Sequence, residues 1–243
     1  EQKKMPNKIL LSGKKGSGKS TLAYHLINYI LSKNEEYKYN LENLCINEDN
    51  KSYKLLQNNS HPNFFLIDLL IEKKNIDVGQ IREMISYTNK STFNDSARFI
   101  LIDNVENLNK NSINALLKVI EEPNENVFFI LINNSEKNIL PTLKSRCLTF
   151  KINLTFNETL NISNSILEKN VLDFVNFDLL SYYNSPGDII SLFNFAEEKS
   201  INLKDHTISS FINLLIENNY YKKNKPVKVL LINLIELFFL KEY

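Results

Sequence analysis

Three of the chain's five glycines fall within six residues, in Gly13-Lys14-Lys15-Gly16-Ser17-Gly18-Lys19-Ser20-Thr21, directly after the apolar run Ile9-Leu10-Leu11. The spacing G-x-x-x-x-G-K-[ST] is that of a phosphate-binding loop set between a strand and a helix. Glycines let successive backbone N–H groups turn inward around an anion, and the helix that must follow adds its positive end. Lys19 is expected on the outer phosphates and Ser20 on Mg²⁺, with residues 13–21 as the nucleotide-binding segment. The motif does not say which nucleotide is bound or whether it is hydrolysed.

A second apolar run, Phe99-Ile100-Leu101-Ile102-Asp103, ends in a carboxylate. That is the form of a central parallel strand delivering an acid to the mouth of a sheet. Asp103 is expected to hold the Mg²⁺ water shell opposite Ser20, although an Asp can also merely end a strand.

The remaining pattern places these motifs. Lys19 to Leu31 reads as a helix with Leu22, Leu26, Tyr29 and Ile30 on one face. Lys51 to Gln57 is a short helical candidate, and Phe64 to Asp68 is a strand behind His61-Pro62. Helices are predicted from Val78 to Asn89, with Asp77 as N-cap, and from Asn111 to Glu122, stopped by Pro123. Val127 to Ile132 is a buried strand ending in Asn133-Asn134. Leu140-Pro141-Thr142 opens a short helix running into Ser145-Arg146-Cys147, and Leu148 to Ile152 closes the series as a strand. Five strands alternating with helices predict a three-layer α/β domain with a parallel sheet over residues 1–152.

Beyond Thr155 only amphipathic helical stretches remain: Leu160 to Glu168, Val171 to Tyr182, Asp188 to Glu198 and Ser209 to Asn218. Ser185-Pro186-Gly187 reads as a turn into a helix. A small helical domain is expected over 153–205, then the start of a further helical domain over 206–243. Its apolar last helix points to missing sequence or a partner.

Composition excludes some classes. A net charge of +1 exerts no general pull on nucleic acid or membrane, so any such contact must be local. The apolar stretches Val229 to Ile232 and Leu237 to Leu240 are interrupted by Asn233 and Glu236 and fall short of a bilayer span. The chain starts at Glu1 with no charged-then-apolar leader before the first strand, so a trimmed start, no secretory signal and a cytoplasmic location are expected. Cys45 and Cys147, far apart, form neither a disulfide framework nor a four-ligand zinc cluster and are expected to be ordinary thiols. Among 29 lysines and arginines only Arg82, Arg98 and Arg146 are arginine.

The order of Gly13 to Ala23, His61-Pro62, Ile81-Arg82-Glu83, Ile102-Asp103, Asn114 to Lys118, Glu121-Glu122-Pro123, Leu140-Pro141-Thr142 and Ser145-Arg146-Cys147 resembles the bacterial clamp-loader AAA+ family. Within that family it resembles the delta-prime subunits of DNA polymerase III. The matches span about Lys8 to Cys147, Asn114 to Pro123 and Ser145 to Cys147 being the most specific. The resemblance implies an AAA+ sheet domain, a helical lid, a collar domain, and ATP with Mg²⁺ as ligands. It implies as partners the ATPase subunits and delta of a pentameric loader, a sliding clamp and primed DNA. Under it, Arg146 is a trans arginine finger reaching a neighbour's ATP site, and Asn133 and Asn134 lie where the family's first sensor of the γ-phosphate sits. A surface arginine paired with a carboxylate is the structural alternative for Arg146.

The departures from the family pattern carry their own expectations. Asn104 follows Asp103 where relatives place a water-polarising glutamate, and an amide cannot serve as that base. Glu106 would need an unusual turn to replace it. Asp188 follows Gly187 where the second-sensor arginine is expected. The region from Ser32 to Asn63, where many relatives carry a four-cysteine module, offers only Cys45, so no zinc is expected. These losses fit a subunit that binds nucleotide, hydrolyses it poorly and lends Arg146 to an adjacent ATPase. A gamma or tau ATPase subunit, a free-standing P-loop ATPase or kinase, and a scaffold with a vestigial site are the alternatives. DNA contact through lysines facing a ring interior would follow phosphates without reading bases.

Overall fold

The alternation of apolar runs and amphipathic segments builds a five-stranded parallel sheet in the computed structural model, which describes residues 5–70, 73–90, 96–134, 139, 141–180, 185–223 and 225–242. The strands are β1 (Lys8–Gly13), β2 (Phe64–Ile67), β3 (Arg98–Ile102), β4 (Val127–Asn133) and β5 (Leu148–Ile152). Their spatial order is β2-β3-β4-β1-β5, every pairing parallel. β3 and β4 are central and nearly wholly buried, which is why they read as unbroken apolar runs.

Helices α1 (Lys19–Leu31), α2 (Lys51–Gln57), α3 (Val78–Thr88), α4 (Lys110–Glu121) and α5 (Pro141–Lys144) connect the strands. Successive strand residues point to opposite faces, so each strand feeds two cores. Leu10, Ile100, Phe129 and Leu131 pack with Ile81, Met84, Leu116 and Ile120 of α3 and α4. Ile9, Leu101, Ile130 and Ile132 pack on the other face with Ala23 and Ile27 of α1 and Leu56 of α2. The result is the three-layer α/β arrangement that the alternation predicts. Asp77 caps α3 through a capping box with Gln80. The predicted helix opening at Leu140 begins in the structure at Pro141; Leu140 lies outside the described residues.

One predicted face is corrected. Helix α1 buries Lys19, Ala23, Ile27 and Asn28, whereas Leu22 is 50% exposed. Lys19 sets the phase: its amine is drawn under the loop, and positions four and eight residues later follow it inward.

Residues 154–243 form a separate compact unit. It comprises α6 (Phe156–Leu167), α7 (Val171–Phe174), α8 (Phe177–Leu180), α9 (Pro186–Lys199), α10 (Ile208–Glu217), α11 (Tyr220–Lys223) and α12 (Lys225–Glu242). Helices on both sides of residue 205 share one apolar cluster, which includes Val171, Leu180, Phe211 and Leu215. The single helix expected from Val171 to Tyr182 is two short ones. Val175 is extended, and Asn176 Oδ1 accepts from Asp178 N at 3.0 Å, which starts a new turn; Tyr182 is outside the described residues. Ser185 caps α9, Pro186 occupies its first turn, and Asp188 accepts from Ser185 N at 3.0 Å to complete a capping box. Among the described residues no helix is long and apolar enough to cross a membrane.

Candidate functional site

β1 ends where Gly13 meets β5. A Cβ at residue 13 would lie 2.3 Å from the Ile152 carbonyl oxygen, so the neighbouring backbone excludes any side chain there. Gly18 stands at φ +83°, in the left-handed region, and turns the loop into α1 as its N-cap. That cap supplies no side-chain acceptor, and no acidic residue occupies the first turn. The amides opening α1, with the positive end of the helix, are therefore suited to an anion. Lys19 is 3% exposed, and its Nζ donates to the carbonyls of Gly13 (2.9 Å) and Lys14 (2.5 Å), closing the loop over the amine.

Ser20 Oγ donates to Asp103 Oδ2 at 2.6 Å. Asp103 follows β3, two strands from β1, yet the two residues meet because all C-terminal strand ends open on one edge. β4 runs between them and brings Asn133 and Asn134 to the same edge. Both are buried. Asn133 Nδ2 donates to Ser12 Oγ at 3.3 Å on the β1 side, and Asn134 Nδ2 donates to Asn104 Oδ1 at 2.8 Å on the β3 side. Asn134 N donates to Glu106 Oε2 at 3.3 Å. Asn133 Oδ1 is buried with no hydrogen-bond partner, which fits a site built for one more polar group.

Two participants at this edge, Asp68 and Tyr24, had no part in the sequence reading of the site. Asp68 follows β2, and Asn104 Nδ2 donates to its Oδ1 at 2.7 Å, so Asp68, Asn104 and Asn134 form a polar chain across three strand ends. Tyr24, on α1, lies close enough to feel both acids. Burial, then the carboxylates of Asp103 and Asp68, push its hydroxyl above the ordinary tyrosine value. Asp68 had a signal in the sequence, an acid ending an apolar run as Asp103 does; Tyr24 had none. A cavity of about 400 Å³ between β2 and α3, lined by Phe65, Leu70 and Gln80 among others, contains none of the loop residues.

Arg146 is elsewhere. Leu148 pairs with Ile9 and Ile152 with Gly13, so Arg146 precedes β5 at the end of the sheet opposite the phosphate loop. The four residue steps of the ladder alone separate the two ends by about 13 Å. Arg146 Nη2 pairs with Glu121 Oε1 at 2.5 Å, and Nη1 donates to Thr142 O at 2.8 Å. Next to it, burial pushes the Cys147 thiol up to about 11, with Lys8 opposing the shift.

Residues 1–155 match the family described as DNA polymerase III, delta subunit. This chain belongs to the bacterial clamp-loader AAA+ family. It lies close to the delta-prime subunits. It is 31% identical to DNA polymerase III subunit delta' of Pseudomonas aeruginosa, over 57% of this chain and 40% of that protein. It is 29% identical to subunit delta' of Buchnera aphidicola subsp. Schizaphis graminum, over 98% of this chain and 74% of that protein. Subunit gamma of the same Buchnera is 32% identical over 82% of this chain and 54% of its own length. The chain thus spans between 40% and 74% of the length of these clamp-loader relatives.

Proposed function

We propose that this chain binds ATP with Mg²⁺ at residues 13–21 and Asp103, turns it over slowly on its own, and lends Arg146 to the ATP site of a neighbouring subunit. It then acts as a delta-prime-like component of a hetero-oligomeric loader, with ATPase subunits and delta as partners, helping to place a sliding clamp on primed DNA in replication. The position of Arg146 carries this reading. A guanidinium at the end of the sheet opposite its own phosphate loop cannot serve that loop's nucleotide, which supports a target on another molecule. There it would neutralise charge developing on the transferred phosphate, which makes hydrolysis depend on assembly.

The backbone N–H groups of the loop and Lys19 would hold the phosphates, and Ser20 and Asp103 the metal. Mg²⁺ held there would supply Lewis-acid neutralisation of the phosphate charge. The Ser20–Asp103 hydrogen bond supports that assignment, since it brings the two oxygens within 2.6 Å of each other. Asn133 Oδ1, buried without a partner, supports a sensing role for the end of β4. Slow turnover is supported by Asn104, whose amide cannot take a proton from water. The reading includes a lid over 153–205, the beginning of a collar over 206–243, a cytoplasmic setting and no zinc.

A gamma-type ATPase subunit is the second reading, favoured by the 32% identity over 82% of the chain. ATP binding and hydrolysis by this chain alone, and then with a partner ATPase subunit, decide between them. The expected result is binding without brisk turnover, with Arg146→Ala lowering only the partner's hydrolysis. Brisk turnover by the lone chain would favour the gamma-type reading, and an irrelevant Arg146 would overturn the trans role.

A further inference from the structure

We propose that Asp68 is a positioning residue for the side chain next to Asp103: it requires a hydrogen-bond donor at residue 104, and the amide that meets this requirement cannot deprotonate a water. The inference rests on reading this edge as the nucleotide site. Asp68 Oδ1 receives two donors, Leu69 N at 2.6 Å and Asn104 Nδ2 at 2.7 Å. A carboxylate only accepts, so the atom of residue 104 that faces it must be a donor. The other end of the same amide accepts from Asn134 Nδ2 at 2.8 Å. Both ends of the Asn104 side chain are therefore specified by their neighbours.

The backbone adds a second constraint. Asn104 sits at φ 55°, ψ 45°, a left-handed conformation that asparagine and aspartate enter more readily than longer side chains do. Its own N–H donates to Asp103 Oδ1 at 2.7 Å, while the other oxygen of Asp103 takes Ser20 Oγ. Residue 104 is thus linked directly to the acid assigned to the metal. A carboxylate at 104 would set an acceptor oxygen against the acceptor oxygen of Asp68, and the 68–104 hydrogen bond would lose its donor. With the two side chains exchanged, asparagine on β2 would donate to a carboxylate on β3. That restores the 68–104 bond in the opposite direction and keeps the bond from Asn134, while the Leu69 N–H, which shares the Asp68 Oδ1 acceptor, loses its partner. Of positions 68 and 104, one takes the acid and the other the amide, and here β2 holds the acid.

The test is a double-mutant cycle on the full chain, read first without nucleotide. Asn104→Asp is isosteric and is expected to lower the thermal midpoint by several degrees, and adding Asp68→Asn is expected to recover part of that loss, the Leu69 N–H contact being the part not recovered. Simple addition of the two single effects would overturn the pairing. Turnover is then read as hydrolysis of bound ATP, after binding of a fluorescent ATP analogue is verified. Asn104→Glu with Asp68→Asn is expected to hydrolyse at least about tenfold faster than wild type or Asn104→Glu alone. Equal rates for Asn104→Glu and the double variant, or no gain in the double, would overturn the positioning role. If glutamate at 104 prevents folding, the aspartate pair carries the rate measurement. If wild type binds no analogue, the nucleotide reading fails, and with it the catalytic role; the thermal cycle still decides the pairing.

Discussion

Ser20 and Asp103, 83 residues apart in the chain, are joined by a hydrogen bond of 2.6 Å. One opens α1 and the other closes β3, and the strand between them in space comes later in the chain than either. Ser20→Ala is expected to weaken Mg²⁺-dependent ATP binding at least about tenfold and to leave metal-free binding nearly unchanged. The lost hydrogen bond itself is worth about 1 kcal/mol of stability. Calorimetric titration with and without Mg²⁺ checks the first point and urea unfolding the second. Equal losses with and without metal would argue against Ser20 as a metal ligand.

Gly13→Ala tests the join between β1 and β5. The added methyl would lie 2.3 Å from Ile152 O, a backbone atom in a paired strand that cannot swing aside. A destabilisation of about 2 kcal/mol is expected from overpacking, measured by denaturant unfolding. A neutral result would mean that β5 can shift away from β1.

The Arg146–Glu121 pair lies near the surface, with 35% and 50% of the side chains exposed. Such a pair is worth less than about 1 kcal/mol, so Glu121→Gln and Arg146→Ala should each move the thermal midpoint very little. Arg146→Ala should nevertheless lower a partner's hydrolysis on the order of a thousandfold. A large thermal loss with normal partner hydrolysis would make Arg146 a structural residue and remove the trans role.

The two cysteines should react at different rates. Cys45 is exposed, whereas burial holds the Cys147 thiol protonated up to about 11. Alkylation at pH 8 is expected to label Cys45 well ahead of Cys147, with the Cys147 rate rising only as pH nears that value. The sign for stability follows. The folded value lies above the ordinary 9.0, so the contribution of the buried thiol is complete below 9.0 and is lost as pH rises through 11. Mass spectrometry of labelled peptides across that range checks it; equal labelling at pH 8 would contradict the burial.

Much of the sheet domain was legible because local chemistry is decisive there. A glycine-rich loop between strand and helix, apolar runs buried on both faces and a helix ended by Pro123 each carry their signal in adjacent residues. The face of α1 was misread because Leu22 and Leu26 are apolar while the buried positions are set by Lys19, a charged residue that goes inward for its loop contacts. The helix expected after Val171 was misread because one extended residue and one asparagine side chain interrupt a continuous apolar pattern.

Residues 13–21, the Asp that ends β3 and the alternation of strand and helix need only neighbours in sequence, so the chain alone specifies them. Strand order needs contacts between distant segments, and no local pattern encodes it. Only the folded sheet places β4 between β1 and β3, sets Asn104 between Asp68 and Asn134, and puts Arg146 at the opposite end from Lys19. Parallel strands that share one direction gather their C-terminal ends on a single edge, and that geometry turns scattered polar residues into one candidate site.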